Sequence, residues 1–230
     1  MTTLSTVPEA ASRSPKGEQT RQAIVAAALD LFRAGGYDRT TMRAIADAAG
    51  VSLGNAYYYF GSKEHLVQAF YDRVQVEHAA AAEDVLSRET AFAARLAGVL
   101  GAWVDVAAPY HEFAGKFFKN AAEPTSPLSP FSEESQGARA ASVSLFATVL
   151  DGSDLKLTPA LRAEMPELLW LMHMGVVLFW VHDSSPGQRR TRVLVAQAVP
   201  LVDKLARMTR LPVVRGVVND LVALVRSLRS

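Results

Sequence analysis

Residues 41–60 read TMRAIADAAGVSLGNAYYYF. Met42, Ile45, Ala46 and Ala49 recur at helical spacing, and Gly50 stops that run. Thr40 or Thr41 supplies its N-cap, and Ser52 caps a second short helix over 53–58. Small Ala46 lets the two helices approach, with Ile45, Val51 and Ala56 filling the crevice. Two short helices joined by a tight turn form a helix-turn-helix, whose second helix fits a DNA major groove. Neither helix is long enough to be stable alone. The second is crowded with Ser52, Asn55, Tyr57, Tyr58 and Tyr59, and basic Arg43 and Lys63 flank it. An ordinary core hairpin does not call for that composition.

Working outward, Ile24, Ala27, Ala28, Leu31 and Phe32 form one apolar stripe of a preceding helix that starts near Thr20 and ends at Gly35-Gly36. Ser62 caps a following helix that runs to about Ala82. Further helical segments are expected near 89–107, 109–121, 136–150, 159–183, 187–209 and 213–229. Pro166 is expected to restart its helix and Pro200 to kink its own. Residues 1–17 read as a flexible arm, and 123–136 (EPTSPLSPFSEESQ) as the one substantial internal loop. No alternating run reads as a strand, so the class is all-α.

In order and spacing, the chain carries a Gly-Tyr after the first helix, then Thr-Thr, Ile-Ala-x-x-Ala-Gly-Val-Ser, Gly-x-x-Tyr, Tyr-Phe and Ser-Lys-x-x-Leu. This run resembles the N-terminal DNA-binding domain of the TetR family of transcriptional regulators over about residues 18–78. Ala56 departs from the larger apolar residue common there. The resemblance implies that Thr41 and Arg43 meet phosphates or a base edge. It implies that Ser52, Leu53, Gly54 and Asn55 present the start of the recognition helix to the groove, that Tyr57 and Tyr58 meet phosphate or base, and that Lys63 meets phosphate. Tyr59 and Phe60 are assigned to packing. It also implies an effector-binding and dimerising helical domain over 79–230, a homodimer on a palindromic double-stranded operator, and repression relieved by a small molecule.

The residues of that domain allow such roles. The stretch 168–181 is apolar almost all round, and Leu171, Leu178, Val193, Leu194, Leu201 and Leu205 can form half of an intersubunit four-helix bundle. Trp103, Phe113, Phe117, Phe118, Phe146, Trp170, His173 and Met174 are candidate liners of a pocket for an apolar or aromatic ligand. A DNA-binding factor with no small-molecule effector stays open on the residues alone.

Composition narrows the remaining classes. The chain has 230 residues, half of them hydrophobic, a formal charge of +1 and no cysteine. Disorder, a disulfide framework and thiolate metal sites are excluded. The first twelve residues lack the basic and apolar regions of a signal peptide, and the apolar window 168–181 is short of the ~20 residues that span a bilayer. A cytoplasmic protein, off the membrane, is expected. Gly50-Val51-Ser52-Leu53-Gly54 matches a serine-hydrolase elbow, but that turn needs a strand before the serine, where this chain has a helix. No metal-ligand spacing or cofactor fingerprint occurs, and no catalytic activity is expected.

Overall fold

The computed structural model describes residues 14–123, 125–211 and 215–227, excluding the side chains at 113, 116, 117, 119, 120, 215, 218, 219, 221, 225 and 226. All regular elements among them are helical, as expected. They are α1 (Pro15–Gly35), α2 (Met42–Ala48), α3 (Leu53–Tyr59), α4 (Lys63–Arg88), α5 (Phe92–Ala107), α6 (His111–Ala121), α7 (Gln136–Asp151), α8 (Pro159–Val181), α9 (Arg189–Met208) and α10 (Arg215–Ser227). Short 3-10 turns precede α6 and α9.

The chain divides into two compact units. The first runs to Arg73 and takes in Glu112–Gln136; the second comprises Val74–His111 and Gly137–Ser230. This differs from a single boundary near residue 78. The stretch expected as a loop is built from successive serine turns. Ser129 N–H donates to the Ser126 carbonyl and Ser132 N–H to that of Ser129. The stretch joins the first unit because Gln68 Nε2 donates to the Pro127 carbonyl at 2.8 Å and to Ser135 Oγ at 3.0 Å, while Tyr71 Oη donates to the Leu128 carbonyl.

Helix α1 starts five residues before the apolar stripe was expected to begin its helix. Ser14 accepts from Gly17 N–H at 3.0 Å and Pro15 occupies the first turn. Residues 15–17 of the expected arm are therefore helix, and 1–13 lie outside the described residues. The buried arc of α1 is Ile24, Val25, Ala28, Leu29 and Phe32. Ala27 and Leu31 are half-buried, so the arc sits slightly round the helix from the expected stripe.

In the second unit, α5 buries Phe92, Leu96, Val99 and Leu100, which pack with Phe146, Val149 and Leu150 of α7 and Leu161 and Leu169 of α8. Helix α8 is continuous through Pro166, and α9 through Pro200, so neither proline ends its helix. At 23 residues, α8 reaches the length and apolarity of a membrane span, beyond the 14-residue window seen in the sequence; Phe92–Tyr110 does likewise. Both turn large faces into this core.

Two polar devices organise the unit. Arg95, 3% exposed, has no carboxylate partner among the described residues. Its guanidinium donates to four carbonyls: Leu86 and Glu89 at the end of α4, and Thr148 and Val149 at the end of α7. The bonds run from 2.6 to 2.8 Å. It thus caps two helix C-termini, where a cation is favoured. Gly152 makes room for it, since a Cβ there would collide with the guanidinium. Likewise a Cβ on Gly98 would lie 2.5 Å from Val85, so α4 and α5 approach closely at that glycine.

The second device is Asp183, buried between α8 and α9. One carboxylate oxygen accepts from Ser185 N–H and Oγ–H, the other from Thr191 N–H and Oγ–H. Burial alone would raise its pKa, but these four donors outweigh it and hold the carboxyl well below its usual range. A depressed folded pKa stabilises the fold above the ordinary carboxyl pKa, and that contribution fades only as pH falls through the depressed value.

Removing the Arg95 cation leaves four buried carbonyls without their donors. Arg95→Leu is therefore expected to lower the free energy of unfolding by about 3–5 kcal/mol, read by urea titration. An unchanged midpoint would show that these carbonyls do not depend on Arg95.

Candidate nucleic-acid interface

The helix-turn-helix forms through local signals. Thr41 Oγ1 accepts from Ala44 N–H at 3.2 Å, starting α2. Val51 N–H donates back to the Ala46 carbonyl at 3.0 Å, and Gly50 takes φ +68°, the left-handed backbone that ends a helix cheaply only at glycine. Ser52 Oγ then accepts from Asn55 N–H at 3.1 Å and starts α3. Both hydroxyls keep their own hydrogens for an outside acceptor. Ile45, Ala46 and Ala56 are completely buried where the helices cross, and Val51 is half-buried. Alanine at 56 thus fits a close crossing.

What α3 turns outward is polar. Ser52, Gly54, Asn55 and Tyr57 are exposed, and Leu53 and Tyr58 half-buried. Thr41 and Arg43 are exposed on α2. Tyr58 meets Tyr59 edge-on at 5.4 Å. Phe60 is buried, with the Arg21 guanidinium 5.3 Å over its ring, in keeping with a packing role. A Cβ on Gly54 would meet nothing within 4 Å, so nothing in the fold itself asks for a glycine there.

Lys63, expected to meet phosphate, also bonds within its own domain. Its Nζ donates to the Tyr37 carbonyl at 2.8 Å and to that of Asp38 at 3.5 Å, and lies 4.4 Å over the Tyr37 ring. Tyr37 Oη donates to Glu64 at 2.6 Å. Burial, followed by Glu64, holds the phenol above its usual pKa. Burial raises Glu64, but donors from Tyr37 and Ser62 outweigh it and leave the carboxyl lowered. Lys63 and Glu64 thereby moor the start of α4 to the turn after α1. The Gly-Tyr of the sequence motif marked this spot without revealing its partners.

The expected pocket liners divide. Trp103, Phe146 and His173 come together in the second unit, His173 meeting Trp103 at 5.0 Å and Phe146 at 5.6 Å between ring centroids. Trp170 enters the core beneath the Arg139 guanidinium, and Met174 packs half-buried against it. Phe118, by contrast, belongs to the first unit with α6. The side chains of Phe113 and Phe117 lie outside the described residues. His78, which no sequence motif singles out, joins His173 at 5.9 Å.

The residues expected at a dimer face are largely uncovered in the single chain. Leu171 and Leu178 on α8 and Val193, Leu201 and Leu205 on α9 are exposed, Leu205 by 64%; Leu194 is half-buried. Phe179 on α8 and Met208 on α9 are exposed as well. On α10, Val222 is buried while Val217 and Leu224 are exposed, so that helix is only partly covered.

The hydrolase-like run around Ser52 lies between two helices, and the described residues contain no strand to carry a nucleophile elbow. Comparison with known proteins agrees with the geometry. The family model "Bacterial regulatory proteins, tetR family" matches residues 24–70, and "Tetracyclin repressor-like, C-terminal domain" matches 95–224. The HTH-type transcriptional regulator TtgR of Pseudomonas putida is 40% identical over 63 residues, 27% of this chain and 30% of its own. The HTH-type transcriptional repressor KstR of Mycolicibacterium smegmatis is 37% identical over 67 residues, 29% and 33% of the two chains. The chain thus matches about a third of the length of these curated relatives.

Solved structures share the fold over more of the chain. A tetR-family regulator from Streptomyces coelicolor has a TM-score of 0.58 at 23% identity, covering 91% of this chain and 89% of its own. FadR of Thermus thermophilus, a repressor solved with lauroyl-CoA, has a TM-score of 0.55 at 18% identity, covering 78% and 92%. With its N-terminal and C-terminal regions both matched, the chain belongs to the TetR family.

Proposed function

We propose that the chain is a homodimeric repressor of the cytoplasm that reads a palindromic double-stranded operator with α3 and releases it when a small, largely apolar or aromatic molecule binds in the second unit. The observation that carries the DNA reading is the outward face of α3. Ser52, Gly54, Asn55 and Tyr57 stand exposed on a helix capped at its start. Asn55 suits an adenine edge, Leu53 a thymine methyl, and Gly54 a close approach of backbone to DNA. Thr41, Arg43, Tyr57 and Tyr58 supply donors to phosphate. Lys63 joins them and also acts through Tyr37, positioning the domain.

The uncovered apolar surface of α8 and α9 supports pairing of two copies through Leu171, Leu178, Val193, Leu194, Leu201 and Leu205. Two linked reading heads then address half-sites about 34 Å, one helical turn, apart. A ligand that prefers the arrangement unable to span those half-sites lowers DNA affinity by that preference. The aromatic setting of His173 supports a ligand of that kind.

The direct test is selection of random double-stranded DNA by the purified protein at near-physiological salt. Enrichment of a palindromic sequence is expected. A pool without a motif, retained only at low salt, would overturn sequence-specific reading. At Gly54, stability and binding are expected to move in opposite directions. Gly54→Ala should stabilise the protein by about 0.5–1 kcal/mol through helix propensity while weakening operator binding by about tenfold or more. Unchanged affinity would remove the close approach at this position. The double change Leu201→Glu and Leu205→Glu is expected to give monomers by analytical ultracentrifugation; a surviving dimer would place the interface elsewhere.

A further inference from the structure

The core of the second unit contains a polar island most of whose hydrogen-bonding atoms have no partner among the described residues. His78 on α4 is fully buried and His173 on α8 is 3% exposed. His78 Nε2 lies 2.9 Å from the Val99 carbonyl and must donate to it, which leaves Nδ1 as a bare acceptor. Neither nitrogen of His173 has a hydrogen-bond partner among the described residues, and neither do His78 Nδ1, Trp180 Nε1 or Ser142 Oγ. The two imidazoles are 5.9 Å apart and tilted by 48°, too far and too oblique to bond each other. Burial holds both rings below the ordinary imidazole pKa, that of His173 at about 3, so both are neutral at pH 7. Rings surround them: Trp103 lies 5.0 Å and Phe146 5.6 Å from His173, and Trp180 lies 5.1 Å from Trp103.

Such orphaned groups cost stability unless something pairs with them. Neutral His173 offers one N–H and one bare nitrogen, whichever tautomer it takes; His78 offers only a bare nitrogen. The complement is therefore a group that both donates and accepts. We propose that His78 and His173 form a hydrogen-bonding pair for the hydroxyl of an uncharged aromatic ligand, a phenol, held among Trp103, Phe146 and Trp180. The hydroxyl donates to His78 Nδ1 and accepts from the N–H of His173. A carboxylate has no hydrogen for His78, and Arg95, the one buried cation among the described residues of this unit, is committed to four carbonyls. An ammonium has no acceptor for His173 and brings an unpaired charge into the core. A methyl ether lacks the donor. This assignment rests on the ligand-responsive reading above and narrows its chemistry.

The full-length protein is titrated with 4-ethylphenol, 4-ethylanisole and 4-ethylbenzoate, followed by calorimetry and tryptophan emission. The phenol is expected to bind about tenfold or more tighter than the other two, as one good buried hydrogen bond allows. His173→Phe keeps a ring in place but removes both nitrogens, and should reduce that preference to about twofold or less. The imidazole nitrogen resonances of the unaltered protein give a reading independent of any variant's folding: those of His78 and His173 are expected to shift with the phenol and not with the ether. Equal affinities, no binding by any of the three, or unmoved imidazole signals would overturn the proposal. Release of operator by a ligand without a hydroxyl would remove the phenol assignment and leave the regulator standing. Failure to select any operator would remove the regulator reading while the phenol titration still decided this one.

Discussion

A buried guanidinium with no carboxylate partner among the described residues holds the second unit together. Arg95 completes the hydrogen bonding of two helix ends whose carbonyls would otherwise point into the core. The cation is tolerable there because partial negative charge from two helix termini converges on it. Its planar fork reaches four carbonyls at once, which a lysine ammonium could not match. The end of α4 is thereby fixed, just as its start is fixed by Lys63 and Glu64 against the turn at Tyr37. Helix α4, which contributes residues to both units, is anchored within each by a charged side chain.

The proposed reading face follows a different logic. Helices of seven residues have little stability of their own, so α2 and α3 depend on caps at Thr41 and Ser52 and on a crossing packed with alanine and isoleucine. Everything that stabilises them points inward or along the backbone. Beyond the two capping hydroxyls, the exposed face of α3 carries Gly54, Asn55 and Tyr57, which leaves those positions open to a role separate from holding the fold.

Much of this was legible from the chain because the signals are local. Thr41, Gly50 and Ser52 each specify a cap or turn within four residues, and the α3 face follows from their register. The start of α1 was also written locally, in Ser14 and Pro15, but an apolar stripe beginning nine or ten residues later masked it. Other features depend on contacts that periodicity cannot carry. Gln68 meets Pro127 across 59 positions, which moves 112–136 into the first unit. Lys63 flanks α3 in sequence, and its bonds to carbonyls 25 and 26 positions earlier could not be read from that spacing. His173 stood out as a polar residue in an apolar run, but nothing near it in sequence pointed to His78.

Asp183 has a consequence for how two such chains would come together. Its four hydrogen bonds close the turn between α8 and α9 within one chain, so the hairpin bearing the exposed leucines needs no partner to complete that turn. Folding of the hairpin is then a unimolecular event, independent of protein concentration. Docking of two preformed faces is a rigid-body encounter whose entropic cost is mainly translational and rotational rather than that of ordering a backbone. Under the proposed pairing, this turn would be complete in each chain whatever the protein concentration.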